Sequence, residues 1–143
     1  MATAKKTRPA KGIVRVKMLP KDPMVARNEG LWPVDVDIEA PTAGDGPSSA
    51  RVCVVDYNAD LDTLFAPAEL LGDGTGYKGI SSIGAKEASL RDFTFHQVNV
   101  WAVIEQTLGW LEDEQALARP IPWASGLGRL LVIPHAGYNQ NAF

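Results

Sequence analysis

One segment of this 143-residue chain reads as a long helix, while the most regular stretches before it read in strand period. That contrast restricts the fold class more than any other feature. Thr94-Phe95-His96-Gln97 has the form of a capping box, in which the Thr94 hydroxyl accepts a backbone N–H and Gln97 reaches back to the cap. Phe93 and Val98 stand where a hydrophobic staple would close over it. Val100, Val103, Ile104, Thr107, Leu108 and Leu111 then recur on one helical face. The pattern predicts a helix over about 94–117. It fades at Glu112-Asp113-Glu114, whose charges oppose the helix dipole, or by Ala118, ahead of Pro120.

Upstream the apolar period is two. Val14, Val16 and Met18 alternate with Arg15 and Lys17, and Val34, Val36 and Ile38 alternate with Asp35, Asp37 and Glu39. Each pattern predicts a strand with one wet face. Arg51 to Asp56 is a β-branched run that reads as a central strand buried on both faces, with Cys53 as a small core residue. Leu130 to Ile133 reads as a last buried strand. The expected class is therefore α+β: a mainly antiparallel β-sheet lobe with one long helix and a C-terminal edge strand. Residues 1–12 read as a flexible basic tail and 13–143 as a single β-rich lobe.

Bulk properties narrow the partners. A 45% apolar and 22% charged composition is that of a folded domain, and a net charge of −3 offers no electrostatic footprint for nucleic acid. No run approaches the ~18 apolar residues of a membrane span. The basic start, through Lys5, Lys6, Arg8 and Lys11, is followed by no apolar segment, so a secretory signal is not expected. With Cys53 as the single cysteine, the expected setting is cytoplasmic, with non-classical export left open.

The inventory of chemical groups is thin. Gly74-x-Gly76-x-x-Gly79 satisfies a dinucleotide fingerprint formally, but no strand end and helix start flank it, so it reads as a surface turn. His96 falls in the helix's first turn and reads as a packed or solvated histidine. His135 follows the last strand and reads as a hydrogen-bonded loop histidine. Neither belongs to a spacing that ligates zinc. Ser125 lacks the G-x-S-x-G context, and Glu112, Asp113 and Glu114 read as solvated charges. No complete active site is legible in this chain.

The ending carries more information. His135-Ala136-Gly137-Tyr138-Asn139-Gln140-Asn141-Ala142-Phe143 resembles the segment that thermolysin-like zinc metallopeptidases, the gluzincins, carry ahead of their H-E-x-x-H helix. The preceding order is similar: a long helix opening with His96-x-x-Asn99, a proline-containing connection, then a strand. The likeness covers roughly residues 92–143. It implies that Asn141 and Ala142 hydrogen-bond an extended peptide substrate at a sheet edge, with Phe143 packing behind them. It departs from the family at Gln140, where a second asparagine is common, and in stopping before the zinc helix, the glutamate ligand and the proton-donating histidine.

The resemblance therefore implies a substrate-cleft lobe that is inactive alone. No cofactor is expected in this chain, and zinc is expected only in a missing C-terminal part. The expected partners are that catalytic half, or a second copy joined through the 130–143 edge, and a peptide substrate once the protein is complete. The alternative is a non-enzymatic β-rich structural or protein-interaction module.

Overall fold

The computed structural model describes residues 12–21, 25, 28–30, 33–39, 46–80, 92–124 and 128–137. Strands β1 (Ile13–Met18) and β2 (Val34–Glu39) pair antiparallel, with Val14 opposite Ile38 and Val16 opposite Val36. The alternation decides which face is dry: Val14, Val16 and Ile38 are buried. On the wet face the Arg15 guanidinium sits 2.6 Å from the Asp37 carboxylate, and Lys17 lies 3.1 Å from Asp35. Such exposed pairs fix register more than they stabilise.

Strand β3 (Val52–Val54) pairs parallel with β6 (Leu130–Val132), Val52 opposite Leu130 and Val54 opposite Val132. Between them come a small antiparallel ribbon, β4 (Tyr57–Asn58) with β5 (Thr63–Leu64), and the helix α1 (Phe93–Glu112). The class is α+β with one long helix, and among the described residues two of the three strand pairings are antiparallel. The β3–β6 pair corrects the expected strand burial. Val52 and Val54 are buried, but Val55 on the same segment is 38% exposed and Leu131 is 55% exposed. One face of this pair is covered by α1; the other is not dry. Of the basic tail, only Gly12 falls among the described residues.

Helix α1 differs from expectation at both ends. Its N-cap is Asp92, whose carboxylate accepts the Phe95 N–H at 3.1 Å, so Thr94 lies inside the first turn. Gln97 does not reach back to a cap. At the other end the helix stops at Glu112 rather than near residue 117. Asp113 turns extended, and its backbone carbonyl accepts the N–H groups of Ala116 and Ala118. Glu112 is not a solvated charge either: it takes hydrogen bonds from the Arg51 guanidinium and, at 2.6 Å, from the Ile121 N–H. Together they hold its carboxyl below the usual carboxylate range.

The buried stripe of α1 is Phe95, Val98, Trp101, Ala102 and Leu108, with Val103 and Thr107 turned to solvent. The expected face holds at Leu108, which is buried, and at Val100 and Ile104, which pack on the core, but it is widened through the large Trp101 ring and the small Ala102, which fit over β1 and β3. Asn99 secures the crossing by accepting the Leu19 N–H at 2.7 Å. Trp101 meets Tyr77 edge-on at 6.0 Å, and burial pushes the Tyr77 phenol up. Tyr77 closes the glycine-rich segment, which is a turn bridging Leu70 to Tyr77 and packing against β1 through the Arg15 N–H and the Thr75 carbonyl. Gly76 suits this close approach, since a Cβ would come to 3.3 Å from the Arg15 carbonyl, a tight contact. Among the described residues no helix is long and apolar enough to cross a membrane.

Two outcomes follow from the helix ends. Asp92→Ala removes the cap and costs about 1 kcal/mol of unfolding free energy, whereas Thr94→Ala changes it by a few tenths; denaturant midpoints at equal slope compare them. The lowered carboxyl of Glu112 contributes stability present above the ordinary carboxylate range and lost as pH falls through its depressed value. The urea midpoint of the parent should therefore fall toward that of Glu112→Gln on acidification, and a constant gap would contradict the assignment.

Candidate functional site

The β3–α1–β6 arrangement brings three points of the chain together. Asp56 lies just past the carboxyl end of β3, His135 just past the carboxyl end of β6, and His96 in the opening turns of α1. In α/β units this is where ligands gather, because strands end there and the helix turns its N–H groups toward the same space. The strand register dictates the meeting. With Val54 opposite Val132, two further residues along each strand reach Asp56 and Pro134, and the next is His135.

The side chains form a continuous chain. His135 Nδ1 donates to the Asp56 carboxylate at 2.6 Å, and His135 Nε2 lies 3.0 Å from His96 Nδ1. The Asp56 side chain is only 1% exposed and that of His135 24%. A carboxylate so far out of water needs donors on both oxygens. Gln97 supplies the second: its amide donates to Asp56 at 3.2 Å and to the Ala66 carbonyl at 3.1 Å, and its oxygen accepts the Ala68 N–H at 2.9 Å. Gln97 therefore belongs to the site rather than to a capping box. The backbone tightens the same knot, with Phe65 N–H on the Asp56 carbonyl and Ala59 N–H on the His135 carbonyl.

Two phenylalanines wall the imidazoles. Phe65 and Phe93 stack at 4.2 Å, and Phe93 meets His135 and His96 edge-on at 5.1 and 6.0 Å. Chemically the arrangement orients the two rings. The acceptor Asp56 orients His135 through Nδ1–H, which turns Nε2 toward His96 Nδ1. Among the described residues no three His, Cys, Asp or Glu side chains converge to hold a metal.

Sequence reasoning placed the two histidines on separate elements, in bland roles, and gave Asp56 no role beyond ending a strand. Their one legible signal was an acid closing a β-branched run, at the carboxyl end of a strand. Asn141, Ala142 and Phe143, the residues expected to bind substrate, lie outside the described residues, as does Ser125. No protein-family model matches this chain, nor does any curated protein or solved structure.

The network predicts a large penalty for one neutral residue. Gln97→Ala strips a donor from buried Asp56 and leaves the Ala66 carbonyl and Ala68 N–H without their partner, so unfolding free energy should fall by about 3 kcal/mol. A chemical-denaturation midpoint within experimental error of the parent would show that the amide is not the bridge described.

Proposed function

We propose that this chain is the substrate-cleft lobe of a thermolysin-like zinc metallopeptidase, supplying peptide binding to a reaction whose metal chemistry belongs to another part. The observation that carries the proposal is the meeting of His96 and His135 at 3.0 Å. The resemblance rests on two separate stretches, one opening a helix at His96-x-x-Asn99 and one running from a strand through His135. A chance likeness gives no reason for them to touch.

The backbone of β6 fits the part. The Leu130 N–H donates to the Arg51 carbonyl and the Val132 carbonyl accepts the Val55 N–H, so both residues are spent on the β3 side. In a parallel ladder the intervening Leu131 then turns its own N–H and C=O outward. An extended peptide can add to such an edge by main-chain hydrogen bonds. In this reading Asn141 and Ala142 continue the edge and Phe143 packs behind them. The exposed face carrying Leu131 and Ile133 is where the catalytic half, or failing that a second copy, would cover apolar surface. A cytoplasmic setting fits the single Cys53.

The test is a titration of the isotope-labelled chain with a blocked, proline-free heptapeptide of alternating valine and threonine. Amide resonances of Leu131, Asn141 and Ala142 should move together, and a peptide with a central proline, lacking the needed N–H, should bind at least about tenfold more weakly. No movement of these amides at about 1 mM peptide, weaker than any cleft of this kind requires, would remove the proposal.

A further inference from the structure

The chain has two histidines, and the fold brings both to one spot. Their separation of 39 residues matches no ligand spacing in sequence; they meet because β3 and β6 pair in parallel and α1 packs over β3. We propose that His96 Nδ1 and His135 Nε2 form a two-imidazole seat for a divalent cation of the zinc class, with Asp56 orienting one of the ligands. The seat needs neither a peptide nor a second polypeptide, so its test is independent of the cleft reading.

The spacing of the two nitrogens suits such an ion. An imidazole binds zinc at about 2.0–2.1 Å, so two on one ion stand about 2.9 Å apart at a right angle and about 3.4 Å apart at the tetrahedral angle. The observed 3.0 Å falls within that range. The ion sits off the line joining the nitrogens, and each ring tilts to aim its lone pair there. Ligation requires both rings neutral, with their protons on the far nitrogens: Nδ1 of His135 and Nε2 of His96.

Asp56 already sets that state for one ring. A ligating histidine ordinarily gives its other N–H to a carboxylate or carbonyl, which fixes the tautomer and makes the ligating nitrogen more basic. His135 Nδ1 donates to Asp56 at 2.6 Å, and Nε2 is the atom turned to His96. The acid is itself held, 1% exposed and bound on its other oxygen by the Gln97 amide at 3.2 Å. A hydrogen-bond partner on His96 Nε2 would serve that ring in the same way.

The surroundings permit entry and favour retention. Both rings are half-buried, and His135 keeps 24% of its side chain exposed, so an ion can reach them. Phe65 and Phe93 beside the imidazoles lower the local polarity. Among the described residues no set of three His, Cys, Asp or Glu ligands forms, so the chain supplies two. The other positions are left for water or for an oxygen or nitrogen donor of a bound molecule, unlike the closed four-ligand set of a structural zinc. Imidazole donors select zinc-like ions over the hard Mg²⁺ and Ca²⁺.

The test is a calorimetric titration of the untagged full chain with Zn²⁺ at about pH 7.5, followed by imidazole nitrogen spectra. One equivalent should bind below about 1 mM, and about tenfold excess Mg²⁺ should not displace it. His96 Nδ1 and His135 Nε2 should shift while His135 Nδ1 keeps its proton. His96→Gln and His135→Gln should each bind at least about tenfold more weakly. Since His96→Gln leaves the His135–Asp56 bond intact, it decides the matter if His135→Gln fails to fold, with helicity by circular dichroism as the check. Asp56→Asn keeps both ligands; it should weaken binding about tenfold or more and move part of His135 to the Nε2–H tautomer in the same spectra.

Zinc that leaves the nitrogen resonances of both histidines in place would overturn the seat. So would a His96→Gln protein that binds with the parent's affinity, which would put the ion on surface carboxylates. A complex of one zinc with two chains in sedimentation would make it a bridge between molecules and overturn it equally. An Asp56→Asn protein with unchanged affinity and an unchanged His135 tautomer would remove the orienting role of the acid.

Discussion

Burying the Asp56 carboxylate is the constraint around which the middle of this structure is arranged. A charge taken out of water is tolerated only when donors replace the lost hydration. Those donors arrive from α1 through Gln97 and from the segment after β6 through His135. Neither can arrive unless β3 and β6 pair in the observed register, since a slip of one residue would exchange the faces and carry His135 away from the acid. The acid thus penalises misaligned alternatives more than it rewards the native one. Its energetic role is specificity of assembly.

The opposite end of β3 is tied by the opposite charge. Arg51 precedes the strand as Asp56 follows it, and its guanidinium joins Glu112 at the last turn of α1 while lying 5.2 Å from the Trp123 ring centre. Trp123 returns a hydrogen bond from its indole N–H to the Arg51 carbonyl at 3.1 Å. The helix is therefore fastened over β3 at both ends, its N-terminal turns to an acid and its C-terminal turn to a base. Reversing the helix would set Glu112 toward Asp56 and leave Arg51 without an acid. Charge order along the chain reinforces the direction that the apolar stripe of Phe95, Val98 and Trp101 alone leaves unspecified.

What the sequence made legible follows the range of the interactions. The β1–β2 pair could be read because alternation is local, and Arg15 and Lys17 opposite Asp37 and Asp35 supply matching charges on its wet face. The helix could be read because its period is local too. Its boundaries could not, since Asp92 and Thr94 are both acceptable caps and the choice between them turns on where Gln97 is needed. Gln97 is drawn to Asp56, 41 residues away in sequence, and His135 to the same acid across 79. No spacing rule of three or four residues reaches such partners. The site stayed hidden because each member has an ordinary local explanation, and only the parallel pairing of β3 with β6 makes them neighbours.

That pairing also bears on what surrounds this lobe. A parallel pair is ordinarily covered on both faces, because its connections lay structure over the strands. Here α1 covers the face of Val52 and Val54, while Val55, Leu131 and Ile133 on the other remain 38%, 55% and 38% exposed. Polar cover would waste such a surface; an apolar partner would complete a second layer and shield the strands' main chain from competing water. The Asp56–His135–His96 chain stands just past the carboxyl ends of both strands. A peptide bound along the outer edge of β6 would then lie between this lobe and whatever packs on Leu131 and Ile133. On the proposed reading, binding and catalysis divide along this boundary: the lobe aligns the substrate backbone, and the covering half brings the reactive group to it.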